Sequence, residues 1–105
     1  MPVLLERHDE VFVLTMNEGE NRMNRAWLTG MNDALNEVDA ALGPKALVTT
    51  GSGKFYSNGL DLENLIASGE SEMAAFVADD ERHFARLIAT PYITIAACNG
   101  HTFAA

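Results

Sequence analysis

The stretch Lys54-Phe55-Tyr56-Ser57-Asn58-Gly59-Leu60-Asp61-Leu62 joins an aromatic pair, a turn and a helix start within nine residues. Asn-Gly is a strong turn dipeptide, and Asp61 can cap the short helical pattern that follows it. A second Asn-Gly dipeptide, Asn99-Gly100, follows the apolar run 92–98. Each dipeptide thus follows an apolar segment, and we expect a helix to start after each.

Two such turns would make a specific device if the fold brought them together. Glycine lets the backbone come close to a ligand, and the first N–H groups of a helix have no partner within it. Two turns could therefore aim two N–H donors at one substrate oxygen, which is an oxyanion hole. Two ordinary surface turns are the alternative, because Asn-Gly is common in turns.

The first half of the chain alternates between strand and helix patterns. Residues 4–8 and 11–16 predict a β-hairpin. An amphipathic helix follows the N-cap candidate Asn24 and ends at Gly43-Pro44. Residues 46–50 then predict a strand. This alternation favours an α/β layer architecture.

A longer helix is predicted before the last apolar run. Ser71 is its N-cap candidate, and Thr90-Pro91 ends it because the residue before proline avoids helical geometry. Asp80 falls on its apolar face, which weakens the periodicity. The predicted buried face consists of Met73, Val77, Phe84, Leu87 and Ile88.

The composition is that of a globular protein and argues against several classes of function. The 105 residues are 48% hydrophobic and 21% charged, with 15 acidic residues against 7 basic ones and a net charge of −8. This acidity argues against nucleic acid and an anionic membrane as partners. No run approaches the roughly 20 apolar residues of a membrane span. We therefore expect a soluble intracellular protein, cytoplasmic by default, or peroxisomal or mitochondrial if the source is eukaryotic.

The other chemistry-bearing side chains are weaker candidates. His101 could be a base or a ligand, but a lone histidine beside a turn is more often structural. His8 and His83 are expected at the surface, and Cys98 is expected to be a small core residue rather than a nucleophile. Metal-ligand spacing and phosphate or dinucleotide fingerprints are absent from the sequence. We predict no metal and no cofactor.

Two longer stretches resemble the signatures of one enzyme family. Residues 54–62 resemble F-x-[AS]-G-x-D-[LI], and residues 91–105 resemble P-x-I-A-x-[IV]-N-G followed by a turn of small residues. Both are signatures of the crotonase superfamily, the enoyl-CoA hydratase/isomerase family. The resemblance implies an α/β crotonase (ClpP-like) fold, a superhelix of stacked ββα units. It also implies an acyl-CoA thioester as substrate, with no further cofactor.

The resemblance also implies the site residues. The two backbone N–H groups that stabilise the thioester enolate correspond to Leu60 and Ala105. The segment that lines the path of the CoA, largely through backbone atoms, corresponds to Asn58, Gly59, Leu60, Asp61 and Leu62, together with Ala105. Local compensation for the anionic CoA could come from Arg22, Arg25, Lys45 or Lys54.

The wording Ser-Asn-Gly-Leu-Asp-Leu is similar to Δ3,Δ2-enoyl-CoA isomerases of fatty-acid β-oxidation, with enoyl-CoA hydratase as the alternative. Family members are much longer, and their catalytic glutamate comes from the later half. Residues 1–105 are therefore expected to be the N-terminal part of a crotonase-fold domain, with no general base among them. The resemblance implies a homotrimer, or a dimer of trimers, for the full-length protein. A truncated binding or interaction fragment without chemistry is the remaining alternative.

Overall fold

Strands and helices alternate along the chain in this computed structural model, which describes residues 2–103. The predicted α/β architecture is confirmed. The elements are β1 (Val3–His8), β2 (Val11–Met16), α1 (Arg25–Ala40), β3 (Ala46–Gly51), β4 (Phe55–Ser57), α2 (Leu62–Ala67), α3 (Glu70–Ile88), β5 (Ile93–Ala96) and β6 (His101–Thr102).

The main sheet has four strands in the order β1-β2-β3-β5. β1 and β2 form the predicted antiparallel hairpin, whose turn places Asp9 in the left-handed region at φ 56°. β3 pairs with β2 and with β5 in parallel. A second, two-stranded sheet pairs β4 with β6, also in parallel. The chain thus leaves β3 for a short strand that is outside the main sheet and carries the first Asn-Gly turn.

The hydrophobic core lies between one face of the main sheet and the helices. Alternate side chains of β2 are buried, as the period of a strand requires. α1 starts at the predicted cap, because the side chain of Asn24 accepts a hydrogen bond from the backbone N–H of Trp27 over 2.9 Å. The buried apolar side chains are Val3, Phe12, Leu14, Met16, Met23, Trp27, Leu28, Met31, Ala34, Leu35, Val38, Leu47, Leu65 and Phe76.

The start of α3 differs from the prediction. The helix begins at Glu70, with Gly69 as its N-cap at φ 95° and Ser71 inside the first turn. The Met73 N–H donates to the Gly69 carbonyl over 2.9 Å, which closes the first turn two residues earlier than expected. A glycine at positive φ can take this position without the side-chain cap that a serine would supply.

The buried face of α3 is also different in part. Phe76, Asp80 and His83 are its buried residues, while Val77 and Ile88 are 38% and 86% exposed. Phe76 inserts into the core, and Val77 lies about 100° further round the helix, toward solvent. The other predicted face residues, Met73, Phe84 and Leu87, are half-buried against the core.

The last apolar run is shorter and more exposed than predicted. The strand covers Ile93–Ala96, and each of its side chains is exposed. Cys98 is exposed as well, so its expected core position is wrong. Within residues 2–103, β5 has a neighbouring strand on one side only, at the edge of the sheet. Asn99-Gly100 precedes β6 rather than a helix, which corrects the second predicted helix start.

None of the helices among residues 2–103 combines the length and the apolar character needed to cross a bilayer.

Candidate functional site

The backbone N–H of Leu60 is fixed in direction by hydrogen bonds that its two chain neighbours, Gly59 and Asp61, make with Met23. Leu60 and Met23 form an isolated parallel bridge. The Met23 N–H donates to the Gly59 carbonyl over 2.8 Å, and the Asp61 N–H donates to the Met23 carbonyl over 3.0 Å. In a planar trans peptide the C=O and the N–H point in opposite directions. The Leu60 N–H therefore points away from Met23, and it has no hydrogen-bond acceptor among residues 2–103.

The turn before Leu60 requires glycine. Gly59 has φ 79°, a conformation that L side chains rarely adopt. Its N–H donates to the Ser57 hydroxyl over 3.1 Å, and that hydroxyl donates to the Asn21 carbonyl over 2.9 Å. Asn58 and Gly59 form no hydrogen-bonded turn, so the predicted turn is replaced by an irregular loop with bonded neighbours on both sides.

The side chains of Asn58 and Asp61 are used within the fold. The Asn58 amide donates to a Glu20 carboxylate oxygen, which also accepts from Arg22 over 3.1 Å. Asp61 caps α2 by accepting from the Asn64 N–H over 3.2 Å, and its other oxygen accepts from the Asn24 amide over 3.1 Å. Both side chains therefore fix the loop, while the backbone of the 58–62 segment carries the Leu60 N–H, whose acceptor is not found within residues 2–103.

The second Asn-Gly turn holds the end of β3 against β4. The Asn99 side-chain oxygen accepts from the Gly51 N–H over 2.8 Å. The Asn99 amide donates to the carbonyls of Gly53 and Phe55 over 3.1 and 3.3 Å. A Cβ at Gly100 would overlap the backbone carbonyl of Lys54. Only a glycine lets the two backbones approach this closely.

The parallel pairing of β4 and β6 brings the two turns to one place. The His101 N–H donates to the Lys54 carbonyl, and the Phe103 N–H donates to the Ser57 carbonyl, each over 2.9 Å. Leu60 follows Ser57 by three residues. Ala105, the other predicted donor, lies outside the described residues.

His101 and His8 lie where the sequence suggested. His101 is exposed and stacks against Phe103, with ring centroids 6.0 Å apart and planes 10° from parallel. His8 is exposed, and its ring lies 3.2 Å from the Glu6 carboxylate. The structure thus gives His101 a packing role at β6.

The surface position expected for His83 is wrong. Its side chain is 2% exposed, meets the edge of Trp27 at a centroid distance of 5.4 Å, and bonds to Asn32 over 3.0 Å. Burial, together with the charge of Arg86, lowers the pKa of His83 to about 4. Its spacing from the apolar Phe76 and from Asp80 is the sequence signal that could have identified it.

Asp80, one turn earlier on α3, is 4% exposed. Burial, with a contribution from Glu81, raises the pKa of its carboxyl. Asp80 Oδ1 and His83 Nε2 are buried and have no hydrogen-bond partner among residues 2–103. These two groups lie in the interface of α3 with the core, outside the 58–62 segment.

Three of the four basic residues predicted to face an anion are already engaged. Arg22 pairs with Glu20, Arg25 pairs with Glu72 and Asp79, and Lys45 bonds to backbone carbonyls at the end of α1. Lys54 is exposed and makes no ion pair with another of residues 2–103.

Two further features concern ligand binding. A cavity of about 820 Å³ lies between β1 and α1, lined by residues such as Leu4, Gly30 and Ala34, and residues 58–62 are not part of its lining. In the described part of the chain, there is no group of three or more His, Cys, Asp or Glu side chains that could hold a metal ion. The expectation that no metal or cofactor is used stays a prediction.

Known sequences resemble this chain over nearly its whole length. The pattern of the enoyl-CoA hydratase/isomerase family matches residues 6–105. Enoyl-CoA delta isomerase 1, a peroxisomal protein of Arabidopsis thaliana, is 38% identical over 104 residues, which are 96% of this chain and 43% of that protein. Enoyl-CoA delta isomerase 3 of the same plant is 33% identical over 105 residues, 95% of this chain and 44% of that protein.

Solved structures show the same fold. A probable enoyl-CoA hydratase from Mycobacterium tuberculosis superposes with a TM-score of 0.84 at 31% identity, over 93% of this chain and 42% of that one. An enoyl-CoA hydratase from Geobacillus kaustophilus reaches 0.90 at 17% identity, over 96% of this chain and 39% of that one, which is a likeness of fold alone. The crotonase fold predicted from the sequence is confirmed.

The chain spans less than half the length of the curated relatives it matches. Within that span, the family pattern covers both Asn-Gly turns and the strands that pair them. By sequence and by fold, the chain belongs to the enoyl-CoA hydratase/isomerase family of the crotonase superfamily, and its curated relatives are isomerases.

Proposed function

We propose that residues 1–105 form the N-terminal, thioester-binding part of an enoyl-CoA isomerase whose oxyanion hole contains the Leu60 N–H. The observation that carries this proposal is the Leu60 N–H, which has no acceptor among residues 2–103 and is fixed in direction by the Met23 bridge. The second donor is the N–H of Ala105. The β4–β6 pairing supports this assignment, because it starts the two segments that lead to Leu60 and Ala105 side by side.

The two N–H donors would face the negative charge that develops on the thioester oxygen during the reaction. A base removes a proton from C2 of a 3-enoyl-CoA, and the electron pair moves onto the thioester oxygen. Two N–H donors stabilise that oxygen, and removing one such donor typically lowers kcat about 10²–10³-fold. Return of the proton at C4 moves the double bond to C2 and gives the 2-enoyl-CoA. We assign the general base to a part of the whole protein outside residues 1–105.

Isomerisation is favoured over hydration by the relatives. The two plant proteins described above carry isomerase names at 33–38% identity. Hydration is the second candidate, because the bacterial structure at 31% identity carries a hydratase name. The substrate is an acyl-CoA in both cases, with Asn58–Leu62 contacting it largely through backbone atoms. Lys54, which makes no ion pair within the described range 2–103, is the basic residue closest in sequence to that segment.

The assembly and the compartment extend the same proposal. We propose a cytoplasmic location for the whole protein, or a peroxisomal or mitochondrial one if the source is eukaryotic. The relative at 38% identity is named peroxisomal, which supports the peroxisome among these. A homotrimer, or a dimer of trimers, remains the expected assembly of the whole protein. No cofactor besides the CoA of the substrate is required by this chemistry.

An assay of the whole protein that carries this chain tests the proposal. Given cis-3-enoyl-CoA, an isomerase produces the conjugated trans-2-enoyl-CoA, whose absorbance rises with time. Given trans-2-enoyl-CoA in water, a hydratase removes that absorbance as 3-hydroxyacyl-CoA forms. Activity on the first substrate alone supports the isomerase, and activity on the second alone supports the hydratase. Turnover of neither would exclude both.

A further inference from the structure

We propose that the Ser57 hydroxyl is a positioning group that, together with the Met23 bridge, fixes the direction of the Leu60 N–H, with Asn21 as its anchor. The inference rests on the proposed function, since it concerns the oxyanion donor assigned there. Ser57 does not touch the substrate in this proposal. It acts through the turn that precedes Leu60.

The hydroxyl of Ser57 bridges two backbone groups in a buried place. The side chain is 2% exposed. Its single proton is donated to the Asn21 carbonyl over 2.9 Å, so a lone pair is left to accept the Gly59 N–H over 3.1 Å. Both hydrogen bonds are therefore needed if the Ser57 hydroxyl, the Asn21 carbonyl and the Gly59 N–H are each to have a partner. Burial limits the replacement of these bonds by bonds to water.

Asn21 makes this bridge rigid. It is 1% exposed and lies in the left-handed region at φ 52°. Its amide donates to the consecutive carbonyls of Phe55 and Tyr56 over 3.0 and 3.2 Å, and its side-chain oxygen accepts from the Glu18 N–H over 2.9 Å. The acceptor offered to Ser57 is thus fixed to β4 itself.

The Ser57 hydroxyl restrains Gly59, the flexible residue that directly precedes Leu60. Gly59 has no Cβ to limit its φ and ψ angles. Its carbonyl side is held by the Met23 N–H over 2.8 Å, and its N–H side is held by Ser57. With both peptides of Gly59 fixed, the planar Gly59–Leu60 peptide has one orientation, and the Leu60 N–H has one direction.

Loss of the hydroxyl should therefore affect catalysis as well as stability. Without it, the Gly59 N–H loses its acceptor, and the Gly59–Leu60 peptide is restrained only by the bonds to Met23, so the direction of the donor varies more. Oxyanion donors act through preorganisation, and small misplacements of reacting groups can lower rates up to about 10²-fold. A structural role alone would lower the melting temperature and leave kcat unchanged in the folded enzyme.

The experiment compares Ser57→Ala with Ser52→Ala in the whole protein that carries this chain. Ser52 is a matched control, because its hydroxyl also bonds to a neighbouring loop, at Met16 O and Asn17 Oδ1, and does not contact residues 57–61. The measurements are kcat and KM on the enoyl-CoA substrate, the melting temperature, and the C=O stretching frequency of the bound thioester, which falls when the carbonyl is polarised.

We expect Ser57→Ala to lower kcat about 10-fold to 100-fold with KM changed less than about 3-fold. The carbonyl band should move toward its frequency in free substrate. Ser52→Ala should leave kcat and the band unchanged. Ser57→Cys keeps the shape of the side chain with a larger sulfur atom and makes only weak hydrogen bonds, so it should also lower kcat. It serves as the second variant should the alanine variant not fold.

Three outcomes would count against the inference. A kcat and a carbonyl band that match the unsubstituted enzyme in the folded Ser57 variant overturn it and leave the proposed function standing. Equal losses of kcat in the Ser57 and Ser52 variants reduce Ser57 to a structural role. Absence of enoyl-CoA turnover in the unsubstituted protein overturns the proposed function, and the inference fails with it.

Discussion

Phe103 donates its backbone N–H to the carbonyl oxygen of Ser57 over 2.9 Å. This bond joins residues that are far apart in the chain, and it ends the parallel pairing of β4 with β6. Ser57 leads directly into the turn that presents Leu60. The separation of the two candidate donor segments is thus set by a strand pairing, which is stiffer than a loop contact.

Replacing Leu60 with proline removes the proposed donor without removing a hydrogen bond of the described chain, since that N–H has no acceptor among residues 2–103. We expect Leu60→Pro to lower kcat of the whole enzyme by about 10² or more. Leu42→Pro is the control, because Leu42 lies in an exposed loop at 91% exposure. Circular dichroism establishes that each variant is folded. Normal turnover by a folded Leu60→Pro enzyme would remove Leu60 from the mechanism.

Gly100 is the position where the second Asn-Gly turn approaches the backbone just before β4 most closely. A methyl group there would overlap the backbone carbonyl of Lys54, and a backbone atom cannot move aside as a flexible side chain can. We expect Gly100→Ala to reduce the free energy of unfolding by about 1–3 kcal/mol, the usual effect of overpacking. Urea denaturation measures this change.

The control for Gly100 is Gly30, in the middle of α1. Its added Cβ would meet side-chain atoms of Val3 and Pro2 and no backbone atom among the nearest contacts, the closest being at 3.1 Å. Alanine is favoured over glycine in a helix by up to about 1 kcal/mol. Gly30→Ala should therefore change stability little. If both variants are equally stable, the close approach at Lys54 does not constrain the fold.

The local parts of the site were open to prediction from the sequence. Asn24 and Asp61 cap helices through bonds to N–H groups three residues along the chain, so their residue types and positions are sufficient to identify them. The need for a glycine at position 59 was open to prediction as well, since its φ of 79° is one that glycine adopts easily. What surrounds these residues, such as the bond from Asn24 to Asp61 across 37 positions, depends on how the elements pack.

The long-range parts were not open to prediction. The role of Asn99 depends on Gly51, which is 48 positions away, and a common turn dipeptide gives no sign of such a partner. The burial of His83 depends on the approach of α1, which brings Trp27 and Asn32 against it. A histidine among charged neighbours has the pattern of a surface residue until that packing is known.

Asp80 should make the protein less stable at neutral pH than a neutral side chain would. Burial raises the pKa of the Asp80 carboxyl in the folded protein. The carboxyl therefore contributes most to the free energy of unfolding at low pH, and this contribution is lost as the pH rises through the folded pKa. We expect Asp80→Asn to raise the melting temperature at pH 8, with a gain that shrinks toward pH 4. The exposed Asp33→Asn serves as the comparison. A lower melting temperature for Asp80→Asn at pH 8 would contradict this prediction.

The contribution of His83 to stability should change with pH in the opposite sense to that of Asp80. Its folded pKa of about 4 lies below the unfolded value near 6.5. The stability due to the neutral imidazole is therefore fully present above about pH 6.5 and is lost as the pH falls through about 4. The difference in pKa corresponds to a loss of up to about 3 kcal/mol between these limits.

The test of His83 is best made in the Asp80→Asn background, where the neighbouring carboxyl no longer titrates. We expect His83→Gln, which keeps an amide donor for Asn32, to remove most of the loss of stability between pH 7 and pH 4.5. His8→Gln, at a histidine whose side chain is 65% exposed, should leave that loss in place. Urea unfolding at the two pH values gives the free energies. If the His83 variant keeps the full loss on acidification, protonation of the buried imidazole is not its cause, and other carboxylates must account for it.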